Sequence, residues 1–174
     1  MGTPDAVSVV SLAFAGTLRT SPLASTFPGI RVEVYQPRNF REPMSEGLSV
    51  YLYGVGLNTS VRNVPDPRGR TGRRPPIALE LHYLLTPWSP SPDVQQRLLG
   101  HALAFIDATA VLSGALLNSH APGGLTPFRP DETVSLTYEH LSPELLLSVS
   151  EIDGVRLPAS LACVARTGMD PVVP

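Results

Sequence analysis

The chain of 174 residues contains no lysine, and all thirteen of its basic residues are arginine. Each cation is therefore a planar guanidinium, which suits bidentate contacts with carboxylates. The formal net charge is only −2. A total this small gives no general attraction to nucleic acid or to an anionic membrane, so any electrostatic binding has to come from local clusters.

The chain is also poor in cysteine and in long apolar runs. Cys163 is its single cysteine, which excludes an intramolecular disulfide and any metal site with several cysteine ligands. No stretch approaches the roughly 18 to 20 apolar residues that a membrane-spanning helix requires. The apolar residues 7–15 follow Asp5 without a basic region before them, unlike a secretory signal. We therefore expect the protein to be cytoplasmic at synthesis.

The chain has enough hydrophobic residues to form a core. Hydrophobic residues make up 43% of the chain, while nineteen prolines and fourteen glycines predict several long irregular connections. We expect one domain over residues 1–174, with a long Arg- and Pro-rich loop at 58–76 and a flexible tail from about residue 168.

Hydrophobic periodicity and turn residues predict eight elements in the order α-β-β-β-α-β-α-β. The residues between Arg38 and Gly47 are typical of an exposed loop, and Gly114–Pro130 of an irregular connection. The fold class is thus α+β, with a mixed or antiparallel sheet of four to five strands packed on two to three helices. The elements are a helix at Asp5–Arg19, strands at Ile30–Tyr35, Leu48–Leu57 and Ile77–Thr86, a helix at Val94–Leu112, a strand at Thr133–Tyr138, a short helix opened by Ser142-Pro143-Glu144, and a strand at Ala159–Thr167.

One short motif faintly resembles a dinucleotide-binding loop. Gly54-Val55-Gly56 has the first two glycines, but Thr59 stands where a third glycine or alanine is needed. Pro65 and Pro67 then prevent the helix whose N-terminus would bind phosphate. Glycines that ease a bend or bulge within a strand are the better interpretation.

The other reactive side chains are scattered. Cys163 alternates with apolar neighbours, as a buried and inert thiol does, and neither a P-loop nor a nucleophile elbow occurs. We predict that the chain is not an enzyme and has no catalytic, cofactor-binding or metal-ligating residues. The side chains concerned are the widely spaced His82, His101, His120 and His140, and the acidic Glu144, Glu151 and Asp153, which we assign to a solvated face.

A long arginine-rich segment, Asn58–Pro76, separates two of the predicted strands. Loops of this length in compact domains are usually functional or disordered. Three interpretations stay open: a nucleic-acid- or nucleotide-binding module that uses arginines on phosphates, a protein–protein contact, and a solvated loop. The segment has no aromatic residue for base stacking, which disfavours the first.

The distribution of charge favours the protein contact. Residues 131–170 carry seven acidic residues against two arginines, so one end of the chain is acidic and the segment at 58–76 is basic. Identical copies with such ends can associate head-to-tail into a ring. The candidate interface residues are Arg62, Arg68, Arg70, Arg73, Arg74 and Trp88.

Several longer sequence motifs together resemble those of a known protein family. YLYGVGLNTSVRN at 51–63, RRPPIALELHYLLTPW at 73–88 and QRLLGHALAFID at 96–107 are followed by LSPELLLSVSEIDG at 141–154 and RLPASLACVAR at 156–166. In this order and spacing they resemble the tail-terminator, or cap, proteins of extracellular contractile injection systems, which are related to phage tail terminators.

The resemblance implies a function as well as a fold. It implies a homo-hexameric ring at the membrane-distal end of a contractile particle, in contact with the last layer of sheath and inner tube. Such a cap covers exposed strand edges and charged rims and requires no chemistry. The expected partners are therefore further copies of the chain, the sheath protein and the tube protein, in a particle that is released or stays in the cell.

Overall fold

The computed structural model describes residues 2–58 and 77–169, which form five helices and eight strands. Helices and strands alternate between residues 77 and 152. Two short 3-10 turns, Pro37–Phe40 and Pro122–Gly124, join neighbouring elements. In chain order the elements are α1 (Ala6–Thr20), α2 (Pro22–Thr26), β1 (Arg31–Tyr35), β2 (Gly47–Leu57), β3 (Ile77–Trp88), α3 (Pro92–Ala108), β4 (Val111–Ser113), α4 (Gly114–Ser119), β5 (Thr133–Tyr138), α5 (Pro143–Val149), β6 (Glu151–Ile152), β7 (Val155–Arg156) and β8 (Leu161–Met169).

Six of the strands form one mixed sheet in the order β1-β2-β3-β8-β5-β4. β1 runs parallel to β2, and every other neighbouring pair is antiparallel. The last strand of the chain, β8, therefore lies between β3 and β5. β6 and β7 form a separate hairpin. The centre of the sheet is the long β2–β3 pair, whose far end leads into residues 59–76.

Helix α1 covers one face of the sheet because it is apolar at helical spacing. Val10, Phe14 and Leu18 follow one another at intervals of four residues and are fully buried. The ring of Phe14 packs edge-on against Tyr83 of β3, with 5.5 Å between centroids. Ser11 Oγ lies 2.9 Å from Tyr83 Oη, so the one polar atom of this buried tyrosine has a partner.

A second, smaller core lies on the opposite face. Its centre is an aromatic group in which Tyr35 stacks on Trp88 and Phe40 packs against both rings. Met44 closes this group, since its backbone N–H donates to Tyr35 Oη at 2.8 Å. Helix α5 and the β6–β7 hairpin contribute Val149 and Ile152. The sheet is thus buried on both faces at this end.

The sequence-based fold class is confirmed, although the sheet has six strands rather than four to five. The helix predicted to run to Leu112 ends at Ala108, because Val111–Ser113 pairs with β5 as the edge strand β4. The connection predicted at Gly114–Pro130 contains α4. The region between Arg38 and Gly47 was predicted as an exposed loop, and most of it is exposed. Phe40 and Met44 within it, however, are buried in the second core.

The interpretation of Gly54-Val55-Gly56 as a bend or bulge in a strand is confirmed. The β2–β3 pairing shifts between Leu52 and Gly54, which leaves Tyr53 as the extra residue of a bulge. Strand β8 continues to Met169, and the rest of the predicted tail lies outside the described residues. Among residues 2–58 and 77–169, no helix has both the length and the apolar character needed to cross a bilayer.

Candidate assembly surfaces

The predicted arginine-rich contact segment begins and ends at one end of the central hairpin. The backbone N–H of Asn58 donates to the carbonyl of Ala78 at 2.9 Å, so the two ends of the segment leave the sheet side by side. Residues 59–76 lie outside the described residues. The roles of Arg62, Arg68, Arg70, Arg73 and Arg74 therefore stay predictions.

Trp88 is placed in the second core. Its side chain is 8% exposed, and its indole Nε1–H donates to the buried Ser49 Oγ at 2.9 Å. With Tyr35 and Phe40 against its ring, most of its surface is taken up by its own chain. The contact of Trp88 with a partner stays a prediction, and its first role is to hold β2, β3 and the Pro37–Phe40 turn together.

Sequence reasoning missed a polar cluster beside the second core, against which its member Tyr53 packs. Glu139 follows β5 directly, and its carboxylate accepts hydrogen bonds from Tyr53 Oη at 2.7 Å and from His82 Nδ1 at 2.8 Å. A single carboxylate thereby ties together β2, β3 and the end of β5. The side chains of Glu139 and His82 are only 18% and 23% exposed.

A glycine of β2 makes room for this cluster. A Cβ atom on Gly56 would lie 3.2 Å from His82 Nε2, so the imidazole lies across a glycine where a larger residue would crowd it. Burial, and then the hydrogen bond to the Glu139 carboxylate, raise the pKa of Tyr53 above its ordinary value. Tyr53 is therefore a neutral donor throughout the physiological pH range.

An ion pair continues the polar face along β3 and β8. Arg166 Nε donates to Glu80 Oε1 at 2.8 Å, and Arg166 Nη1 donates to Thr137 Oγ1 at 3.0 Å. Arg166 remains 43% exposed and Glu80 25% exposed. Each charge on this face is already paired with an opposite charge or a hydrogen-bonding group. A partner protein could therefore form directional polar contacts here without burying an unpaired charge.

The arrangement does not suggest a reactive centre in the part of the chain that the structure describes. No group of three or more His, Cys, Asp or Glu side chains there could hold a metal ion. Cys163 is fully buried, and burial raises the pKa of its thiol, which keeps it protonated and a poor nucleophile.

Helix α5 exposes three consecutive leucines. Leu145, Leu146 and Leu147 are 38%, 52% and 71% exposed, whereas Val149 on the same helix is buried. Three consecutive positions span most of a helical turn and cannot all face inward. The run Leu145–Leu147 in the sequence was the available signal for this apolar patch, which is typical of a contact surface.

The two edges of the sheet are protected to different degrees. On β1, Arg19 Nη2 donates to the carbonyl of Val32 at 3.0 Å, so a side chain of α1 already uses part of that edge. At the other edge, β4 has only three residues, and Val111 within it is 57% exposed. A short edge strand offers limited pairing to another chain.

The polar cluster is testable through stability. We expect Glu139→Ala to lower the free energy of unfolding by about 1 to 3 kcal/mol, because the buried parts of Tyr53 and His82 lose a charged hydrogen-bonding partner. Chemical denaturation measures this difference. Glu42→Ala is the matched control, since Glu42 is an exposed carboxylate, and should change stability by less than about 0.5 kcal/mol. Equal effects of the two substitutions would contradict a structural role for the cluster.

The family follows from a match over most of the chain. The sequence model of the Pvc16 N-terminal domain family matches residues 10–170. The chain belongs to this family. No curated protein matches it significantly.

Two solved structures have a similar fold. One is the sheath/tube terminator of PVC, an extracellular contractile injection system, in the extended state, with a TM-score of 0.63 and 14% identity over 95% of this chain. The other is the tube-terminating cap of the anti-feeding prophage, with a TM-score of 0.57 and 11% identity over 91% of this chain. The chain spans 57% and 55% of the length of these two proteins.

Proposed function

We propose that the chain is a structural terminator subunit, which caps the sheath and inner tube at one end of a contractile injection particle. The observation that carries this proposal is the family membership over residues 10–170, together with a fold shared with two terminator proteins over more than nine-tenths of the chain. A cap needs contact surfaces rather than a catalytic centre, and its partners would be sheath and tube proteins and further copies of itself.

The geometry and the sequence support a contact role in three ways. The exposed leucines of α5 supply apolar area, and the face around Glu80, Glu139 and Arg166 supplies directional polar contacts. The third contribution comes from the sequence and not from the geometry: the segment at 58–76 carries five arginines. Protein interfaces combine these ingredients, with apolar patches surrounded by polar groups and with arginine favoured.

We propose a ring of about six copies as the assembled form, present in a particle after cytoplasmic synthesis. A heterologous contact closes into a ring when the rotation between neighbours divides a full turn. The acidic residues 131–170 and the basic residues 58–76 provide the two unlike surfaces that such a contact requires.

Size-exclusion chromatography with light scattering tests this proposal. In modest salt we expect a species near six times the monomer mass of 18.6 kDa, alone or after addition of the sheath protein. Added DNA should leave its elution unchanged. A strict monomer that forms a larger species only with DNA would instead support a nucleic-acid-binding module and would contradict the terminator.

A further inference from the structure

A small groove lies where β1 and β2 begin. It has a volume of about 260 Å³ and is lined by Thr26, Phe27, Pro28, Gly29, Ile30 and Glu46. Gly29 adopts a φ of +81°, in the left-handed region that favours glycine, so the turn that forms one wall depends on this residue. The groove is smaller than the roughly 300 to 1,000 Å³ typical of small-molecule sites. Its size suits one long side chain.

The residues that line the groove are of mixed chemistry. Phe27, Pro28 and Ile30 are apolar, whereas Thr26 and Glu46 are polar. Glu46 is exposed and has no hydrogen bond or ion pair within residues 2–58 and 77–169. An aliphatic stem with a cationic head matches this combination, because its stem packs on apolar walls while its head reaches the carboxylate.

The surroundings of Phe27 show that its ring already accepts a guanidinium. Arg97 of α3 lies over the ring with its Cζ 5.0 Å from the centroid, and His101 meets the ring edge-on at 5.5 Å. Arg97 and His101 are not groove residues, so they fix the ring from outside and leave part of it to line the groove. A second guanidinium at this ring would gain the same kind of cation–π attraction. Repulsion from Arg97 opposes it, and Asp93, 3.9 Å from Arg97, reduces that repulsion.

We infer that this groove binds an arginine side chain from the 59–76 segment of a second copy of the chain. The inference rests on the proposed ring and adds a contact at Glu46 to the acidic residues 131–170 proposed above as the surface that meets the basic segment. Charge complementarity selects the occupant: every cation of the chain is an arginine, and five of the thirteen lie in this segment. Planar guanidinium also fits both the aromatic ring and the bidentate geometry of a carboxylate.

Chain length favours a neighbour over the same copy. The groove lies at the start of β2, and the segment leaves the sheet after the eleven residues of that strand, a distance of about 35 Å at roughly 3.3 Å per residue. Both ends of the segment start at the far end of the hairpin, where Asn58 bonds to Ala78. The backbone at the middle of the segment can extend only about 30 Å when fully stretched, so an arginine there reaches its own groove only with both backbone and side chain extended. That extension costs conformational entropy which contact with a neighbouring copy does not require.

A peptide experiment tests the contact directly. The probe is a fluorescently labelled peptide of residues 59–76, and the receiver is the full chain with Arg62, Arg68, Arg70, Arg73 and Arg74 replaced by glutamine, so that copies cannot occupy one another's grooves. Fluorescence anisotropy should show saturable binding. In the same receiver, Glu46→Gln should weaken binding by about two- to fivefold, as expected for loss of one exposed charge pair.

Two controls separate this site from general charge attraction. Glu42→Gln removes an exposed carboxylate that does not line the groove, and the peptide should bind that variant as tightly as the receiver. A peptide with glutamine in place of its arginines should not bind. Absence of peptide binding, or equal binding to the receiver with and without Glu46→Gln, would overturn the inference. Size-exclusion chromatography of the natural sequence distinguishes this failure from failure of the proposed function. A ring would leave the proposed function intact although the groove contact is absent. A monomer that persists with sheath protein would contradict the proposed function itself.

Discussion

Replacing Trp88 with alanine is expected to lower the free energy of unfolding by about 3 to 5 kcal/mol, the usual cost of removing a large buried aromatic side chain. Trp88 is 8% exposed and stacks on Tyr35, with 6.3 Å between ring centroids. Its loss would leave a cavity between β3 and the Pro37–Phe40 turn. It would also remove the indole hydrogen bond to Ser49 Oγ.

Thermal and denaturant unfolding measure this effect. For a domain of this size, a loss of 3 to 5 kcal/mol corresponds to a fall in Tm of roughly 6 to 20 °C. Whole domains have a free energy of unfolding of only about 5 to 15 kcal/mol. The substitution therefore removes a large part of the total stability. Leu147→Ala is the control: Leu147 is 71% exposed, so its removal should change stability by less than about 0.5 kcal/mol.

The same experiment separates two roles of Trp88. If Trp88 mainly contacted a partner, Trp88→Ala would unfold like the unsubstituted chain and would fail only in ring formation. Trp88→Phe refines the result, because phenylalanine keeps much of the aromatic packing but lacks the N–H that donates to Ser49. We expect its stability to lie between those of the alanine variant and the natural chain.

The central part of the fold was predictable because its residues alternate regularly. Strands β2, β3 and β5 keep apolar residues on one face, and the residues of β5 were predicted without error, as was the proline-opened start of α5. The two glycines of β2 also indicated a bulge, since no helix could follow them. Local patterns were sufficient wherever one face of an element is buried.

The elements that were missed depend on contacts between distant residues. β4 has three residues, too few for an alternating pattern, and exists because β5 pairs with it. Phe40 stands in a proline- and arginine-containing stretch that is polar in local sequence, yet Trp88 and Tyr35 from two strands bury its ring. Such a residue is assigned to the core only after the strands have been placed.

The same limit applies to the contact surfaces. The sequence singled out the arginines of residues 58–76 because they cluster locally. The Tyr53–His82–Glu139 cluster joins residues 57 to 86 positions apart, and nothing in the spacing of these residues indicates that they meet. The groove that contains Glu46 likewise depends on the parallel pairing of β1 with β2, which places Arg31 beside Gly47.

Replacing Arg68, Arg70, Arg73 and Arg74 together with serine is expected to weaken capping strongly while the unfolding curve stays unchanged. These residues lie between β2 and β3 in the sequence, and arginine is almost never fully buried in a hydrophobic core unless it is paired. Removing four cations would remove charge-assisted hydrogen bonds to a partner, each worth about 1.5 to 3 kcal/mol where it is desolvated. The loss of even one such bond would raise the dissociation constant of that contact tenfold or more.

Electron micrographs of particles assembled with this variant measure the effect on capping. A sheath and tube that are not terminated continue to add layers, so we expect a broad distribution of particle lengths in place of a narrow one. The matched control replaces the same four residues with lysine, which keeps the charge but loses the planar fork of guanidinium. Intermediate lengths in the lysine variant would show that geometry as well as charge determines the contact. Uniform particles with the serine variant, together with an unchanged ring, would contradict this prediction. The segment would then only connect β2 to β3, and the leucines of α5 and the polar face would form the contacts of the cap.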